Sequence, residues 1–222
     1  MSPARPPLAV EVWSDIACPF CYVGKHQLRE ALARFAHRDA VVVTWRSFQL
    51  DPTLRTDLGR RMNDHLAEAK GLSPERVEGM QARIAQMGAP LGIAFAFDDV
   101  RVANTRRAHR LLQWAAAAGR QDALKERLMR AYFSEGANVD DAATLAALAG
   151  EAGLDAEAAL AVASGDDFDD EVRRDQAEAR QIGIGGVPFF VFDRTYAVSG
   201  AQGEEALLGA LERAWAEGPA AD

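Results

Sequence analysis

Strand-forming sequence lies mostly near the two ends of this chain, and the stretch between them is spaced almost entirely for helix. Val10-Glu11-Val12-Trp13-Ser14 is β-rich and bounded by proline on one side and Asp15 on the other, which reads as a strand. From Pro19 to about Ala36 the apolar residues Leu28, Ala31, Leu32 and Phe35 fall on one stripe, as in a helix. Pro19 takes its first turn, where a missing N–H costs little. Ala40 to Phe48 reads as a second strand. Strand, helix and strand at this spacing make a βαβ unit, and such units pair their strands in parallel.

Between about residue 51 and residue 184 nearly everything reads as helix. One segment covers Met62 to Ala69 and stops at Gly71; the next opens on Ser73-Pro74 and carries Val77, Met80, Ile84 and Met87 on one face. A short extended piece is expected at Ile93 to Phe97. Further helices are expected from near Asn104, from Asp122, from Asp140 or Asp141, from Asp155 and from Asp167. Each starts at a side chain able to accept from an orphan N–H. Ile182-Gly183-Ile184 fits a glycine C-cap. Strands return at Val187 to Phe192 and Tyr196 to Ser199 around the turn Asp193-Arg194, and a last helix runs from Glu204 to Trp215. The tail from Gly218 to Asp222 is expected to fray.

Only two cysteines occur, Cys18 and Cys21 in Cys18-Pro19-Phe20-Cys21, so a disulfide-stapled scaffold is excluded. A thiol attacks a disulfide only as thiolate, and the unpaired N–H groups at a helix start favour that form. Cys18 falls at that point, and Cys21 sits one turn further in, placed to attack a mixed disulfide from behind. A zinc site would need two further ligands, and His26, His37, His65 and His109 form no paired motif. No metal is therefore expected. Gly185-Gly186-Val187-Pro188 places a proline where a strand begins, a position at which a cis bond often serves a purpose.

Hydrophobic residues make up 49% and charged residues 26%, as in a globular protein with a real core. The 25 basic and 33 acidic residues give a net charge of −8, which argues against binding nucleic acid or anionic membrane. No window reaches the length of a membrane span, and no apolar stretch of signal-peptide length follows a basic start. A cytoplasmic location is expected.

Taken together, Trp13 to Gly24, Asn104-Thr105-Arg106-Arg107-Ala108-His109, Gly186-Val187-Pro188-Phe189-Phe190 and Ser199-Gly200-Ala201-Gln202 resemble the DsbA-like branch of the thioredoxin superfamily, in particular its FrnE-like group. The resemblance implies an α/β thioredoxin fold, over residues 8–50 and 185–217, interrupted by an all-helical insertion over 51–184. It implies a cis Val187-Pro188 facing Cys18, with Cys18 as nucleophile, Cys21 as resolving thiol and Pro188 completing the catalytic set. Val187 and Phe20 would line a groove that pairs with an extended substrate. Asn104 and His109 would sit above the active site, as substrate-binding residues or as an N-cap and a helix-surface histidine.

One departure is the central Pro19-Phe20, where strongly oxidising members carry Pro-His; without that histidine a weaker oxidant is expected. The resemblance points to thiol or disulfide substrates, for the most part polypeptide, with a monomer or homodimer as the assembly. No cofactor is expected beyond the redox-active disulfide, and glutathione is admitted as a co-substrate. Two other functions stay open. One is a glutathione-dependent transferase or isomerase of the kappa or hydroxychromene-carboxylate type, which usually carries serine where Cys18 stands. The other is a redox-linked chaperone or binding module built on Phe20, Val187, Phe189 and the methionines Met62, Met80, Met87 and Met129.

Overall fold

A computed structural model describes residues 6–218. The elements run β1 (Leu8–Ser14), α1 (Pro19–Arg34), β2 (Val41–Ser47), β3 (Asp57–Arg61), α2 (Met62–Lys70) and α3 (Pro74–Gly88). After these come β4 (Arg101–Val102), α4 (Arg106–Ala117), α5 (Gln121–Glu135), α6 (Ala142–Glu151), α7 (Ala156–Ser164), α8 (Asp169–Gln181), β5 (Phe189–Phe192), β6 (Tyr196–Ser199) and α9 (Glu204–Glu217).

The four strands from the two ends of the chain meet in one sheet of order β2-β1-β5-β6. β1 and β2 are parallel, as the βαβ spacing requires, while β5 runs antiparallel to both β1 and β6. Alternation along β1 separates two layers. Leu8, Val10 and Val12 face Leu28 and Ala31 of α1, Phe35 just after it, and Leu207 and Leu211 of α9. Trp13 faces the other way, packing with Ala179 of α8 and Val191, and its Nε1 donates to the carbonyl of Asp175. The result is a thioredoxin-type sheet with helices on both faces.

Side chains close the outer edge of β2. The amide of Gln121 accepts from the N–H of Trp45 at 3.0 Å and donates to its carbonyl at 2.9 Å, as a neighbouring strand would. Asp175 accepts from the N–H of Ser47 at 2.7 Å. These contacts occupy backbone groups that an edge strand would otherwise leave unpaired.

A third core lies in the segment between β2 and β5, where α4 to α7 pack around Leu111, Leu124, Leu128 and Leu145. It is continuous with the first turns of α1, through Cys18, Cys21, Tyr22 and Val23. The active-site end of α1 is thus enclosed by the helical segment.

Several local expectations differ from the structure. The segment between β2 and β5 contains a small two-stranded ribbon, β3 with β4, beside its helices. Ile93 to Phe97 forms no strand; Phe95 and Phe97 instead stack at 4.8 Å and lie against Phe133. Asp141 and Asp155 cap α6 and α7 as expected. Asp122 falls inside the first turn of α5 rather than before it. The cap position of α8 is taken by Phe168 at a φ of 65°, not by Asp167. Gly183, at a φ of 79°, ends α8 as expected, with the N–H of Ile184 reaching back to the carbonyl of Ala179 at 2.8 Å. The expected frayed tail lies, from residue 219 onward, outside the described residues.

Candidate active site

β1 ends at Ser14, and the chain turns through Asp15, Ile16 and Ala17 into α1. The N–H of Cys18 reaches back to the carbonyl of Asp15 at 3.3 Å, which places Cys18 at the N-cap with Pro19 next in the helix. Both cysteines are free thiols, Cys18 4% exposed and Cys21 fully buried. The Cys18 thiol donates to the carbonyl oxygen of Val187 at 3.5 Å, and the bond from Val187 to Pro188 is cis. The Pro188 carbonyl accepts from the N–H of Gly200 at 2.8 Å. Cys18, Cys21, Val187 and Pro188 are therefore brought together from both ends of the chain.

The approach of α1 to the proline loop depends on Gly24. A Cβ there would lie 3.0 Å from Cγ of Pro188 and 3.1 Å from Cζ of Phe190. Phe20, between the cysteines, is 39% exposed and offers an apolar face beside the buried sulfurs.

The electrostatics differ from the helix-start argument. Cys18 is pushed well above the usual thiol range, first by its hydrogen bond with Cys21, then by burial, by negative charge on Cys21 and by Asp15. The N–H of Cys21 works in the opposite direction and does not outweigh them. The helix start favours a thiolate, but in the closed dithiol the second sulfur and the buried carboxylate oppose it.

Asp15 is buried beneath Cys18. Burial would raise its carboxyl, yet His109 and the N–H of Leu50 hold it below the ordinary range. His109 Nε2 lies 3.1 Å from Asp15 Oδ1, and the Leu50 N–H donates to Oδ2 at 2.8 Å. His109 is itself 1% exposed, which corrects the expectation of a helix-surface histidine: its ring lies against Asp15 in the loop that carries Cys18.

Asn104 is likewise engaged in loop structure. Its Nδ2 donates to the Leu54 carbonyl at 2.7 Å, and its Oδ1 accepts from the N–H of Arg106 at 2.8 Å and from Gln49 at 3.2 Å. It stands one residue before Thr105, which takes the N-cap position of α4 expected of Asn104, and it pins the chain that leaves β2.

Sequence reasoning missed two groups around the cysteines. Asp15 lies within the Trp13 to Gly24 motif, but its burial could not be read from it. Lys125 on α5 is fully buried, with its Nζ 4.9 Å from the ring centre of Trp45. A network on the far side of Tyr22 ties α1 to α5. His26 Nε2 lies 3.0 Å from Glu126, Lys25 pairs with Glu126 at 3.0 Å, and the Tyr22 hydroxyl donates to Glu126 at 3.1 Å.

The model of the DSBA-like thioredoxin domain matches residues 9–212. A probable DsbA oxidoreductase, SCO1869 from Streptomyces coelicolor, is 42% identical, with a TM-score of 0.91 over 97% of this chain and 93% of that one. The uncharacterized protein YwbO of Bacillus subtilis (strain 168) is 29% identical over 88% of this chain and 92% of its own length. Two more distant structures share the fold alone. The cytosolic disulfide reductase DsbM from Pseudomonas aeruginosa is 18% identical, with a TM-score of 0.67 over 94% and 98% of the two chains, and has also been solved with GSH. A 2-hydroxychromene-2-carboxylate isomerase is 15% identical, with a TM-score of 0.68 over 92% and 95%. Among the described residues no helix is long and apolar enough to cross a membrane. The chain belongs to the family of DSBA-like thioredoxin domains.

Proposed function

We propose that this chain is a cytosolic thiol–disulfide oxidoreductase of the FrnE-like group, with Cys18 as attacking and Cys21 as resolving sulfur, acting mainly as a reductant or isomerase. The observation that carries the reading is the pair of free thiols at the first turn of α1, with Cys18 set against the carbonyl of Val187. A cysteine rather than a serine at position 18 favours dithiol chemistry over glutathione transfer or isomerisation.

In the forward direction the Cys18 thiolate attacks one sulfur of a substrate disulfide, and the other leaves as a thiolate that takes a proton from water. Cys21 loses its proton to water and attacks the Cys18 sulfur, releasing the second substrate thiolate, which is likewise protonated. Two electrons have then passed to the substrate, and the protein holds a Cys18–Cys21 disulfide. Two molecules of glutathione return it to the dithiol, supplying two electrons and two protons and leaving as glutathione disulfide. Val187 and Phe20 form the groove: the main chain beside Pro188 pairs with an extended polypeptide, and the exposed ring covers its side chains. Asn104 and His109 act by holding the loops rather than by touching substrate.

The direction follows from Cys18. A stabilised thiolate makes a strong oxidant because it stabilises the reduced form. The central Pro19-Phe20 offers no histidine to stabilise such a thiolate beside Cys18, which favours giving electrons away.

The test combines insulin reduction with thiol trapping. Cys21→Ala is expected to accumulate mixed disulfides with polypeptides under mild oxidant, and Cys18→Ala none. A reduction potential near the thioredoxin value of about −270 mV supports a reductant, and one near about −180 mV an isomerase or oxidant. Glutathione conjugation of an electrophile without dithiol turnover would replace the proposal with the transferase reading. Suppression of client aggregation that survives Cys18→Ser with Cys21→Ser, in a protein without insulin reductase activity, would replace it with a binding module.

A further inference from the structure

Lys125 carries an amino group with no role in the fold that its surroundings explain. It is fully buried on α5, and its Nζ has no hydrogen-bond partner among the described residues. Its neighbours along the helix, Leu124, Leu128 and Met129, belong to the same apolar cluster as Cys21. The ring of Trp45 meets it on one side, at 4.9 Å. An ammonium in such a place is costly unless a negative charge answers it.

The ionisable groups acting on Lys125 are Cys21 and Lys25 from α1, Asp15 from the loop before α1, and Asp122 from its own helix. Lys25 and Asp122 are paired with each other at 3.1 Å, and Asp122 also accepts from Trp45 Nε1 at 3.0 Å. Asp15 is taken up by His109 and the Leu50 N–H. Cys21 has no ionic partner among the described residues, and its ionisation is coupled to that of Cys18 through the hydrogen bond between the two sulfurs. That bond is lost when the Cys18 sulfur is joined to a substrate.

We propose that Lys125 is the buried countercharge of the Cys21 thiolate in the resolving step, a positioning residue supplied by the helical segment rather than by the sheet. The proposal rests on the dithiol function of Cys18 and Cys21. In the mixed disulfide Cys21 gives its proton to water, and its thiolate is held by the Lys125 ammonium. A sulfur lone pair of Cys21 then forms the bond to Cys18. The bond between Cys18 and the substrate breaks, and its electron pair leaves on the substrate sulfur, which takes a proton from water. Burial pushes Lys125 down to about 8, and among its acidic neighbours Cys21 pulls hardest in the other direction. Disulfide formation removes that pull, so oxidation is accompanied by weaker proton binding at Lys125.

The experiment follows the two releases of thionitrobenzoate from 5,5′-dithiobis(2-nitrobenzoate), the first reporting attack by Cys18 and the second resolution by Cys21. Lys125→Met and Lys125→Gln are compared with the native protein from pH 6 to pH 10. At pH 7 the second release is expected to slow about tenfold relative to the first, as for a tenfold smaller thiolate fraction at Cys21, and to recover as the pH rises. Lys125→Arg, which keeps the charge, is expected to restore the native profile. Unchanged profiles in folded Met and Gln variants overturn the proposal. Should neither variant fold, the Nζ resonance of Lys125 in the native protein decides. Its titration midpoint is expected to fall on oxidation, and an unchanged midpoint overturns the proposal. A native protein that never gives a second release defeats the dithiol reading itself, which is a separate outcome.

Discussion

The Cys18 thiol donates to the carbonyl oxygen of Val187 at 3.5 Å, across 169 positions of sequence. The contact joins the start of α1 to the loop before β5, so the site exists only when both ends of the chain share one sheet. It also encloses Cys18, whose ionisation is opposed by the hydrogen bond with Cys21, by burial and by charge on Cys21 and Asp15.

Cys18 is therefore expected to react slowly with iodoacetamide at pH 7, and faster as the pH rises past the ordinary thiol range. Cys21→Ala removes the hydrogen bond and the neighbouring charge, so the alkylation inflection moves to lower pH. The rate at pH 7 then rises about tenfold for every pH unit by which the inflection falls. Equal inflections in the two proteins would remove Cys21 as the cause.

Glu126 gives a pH dependence of stability. Burial would raise its carboxyl, but the hydrogen bond from His26 and the charge of Lys25 outweigh it and hold the group at about 2. A depressed carboxylate contributes stability above its unfolded value, and that contribution is lost as the pH falls from about 4.5 to about 2. Its worth is about 2 kcal/mol once solvent screening of a one-third exposed side chain is allowed for. Glu126→Gln is expected to be less stable by about that amount at pH 7 in urea unfolding, with the gap closing towards pH 2. A gap independent of pH would show that the charge plays no part.

His109→Ala leaves the buried Asp15 carboxylate without one of its partners. Breaking such a pair costs about 3 kcal/mol, or roughly 6–12 °C in thermal unfolding for a chain of this size. The loss shrinks in the double variant Asp15→Asn with His109→Ala, because no charge is then stranded. Additive losses would argue that the two side chains act independently.

Gly24→Val forces side-chain atoms against Pro188 and Phe190, where even a Cβ is 3.0–3.1 Å from them. Overpacking of this kind costs about 1–3 kcal/mol. Dithiol turnover is expected to fall along with the melting temperature, since the same contact sets the distance between α1 and the loop that faces Cys18. Full activity in a folded Gly24→Val protein would show that the loop has room to move.

What was legible in the sequence depended on how far the deciding interactions reach along the chain. The caps at Asp141 and Asp155, the glycine stop at Gly183 and the turn at Asp193-Arg194 involve groups a few residues apart. The ribbon of β3 and β4 was not legible, because Asp57–Arg61 carries no alternation of its own and is paired only by a partner about forty residues away. Phe168 opens α8 in a left-handed conformation that no local preference favours.

The sequence by itself determined where the two sulfurs sit and which helix start carries them, because the spacing of Cys18 and Cys21 and the proline between them act within one turn. It also pointed, through the resemblance, to Val187-Pro188 as their counterpart. Only the tertiary structure decided what surrounds the pair. Asp15 is ordinary in the sequence until His109 is folded against it, and Lys125 is one of three lysines until α5 buries it against the ring of Trp45. Burial and charge pairing are properties of the packed whole, and they set the ionisation of Cys18 against what its place at a helix start alone would give.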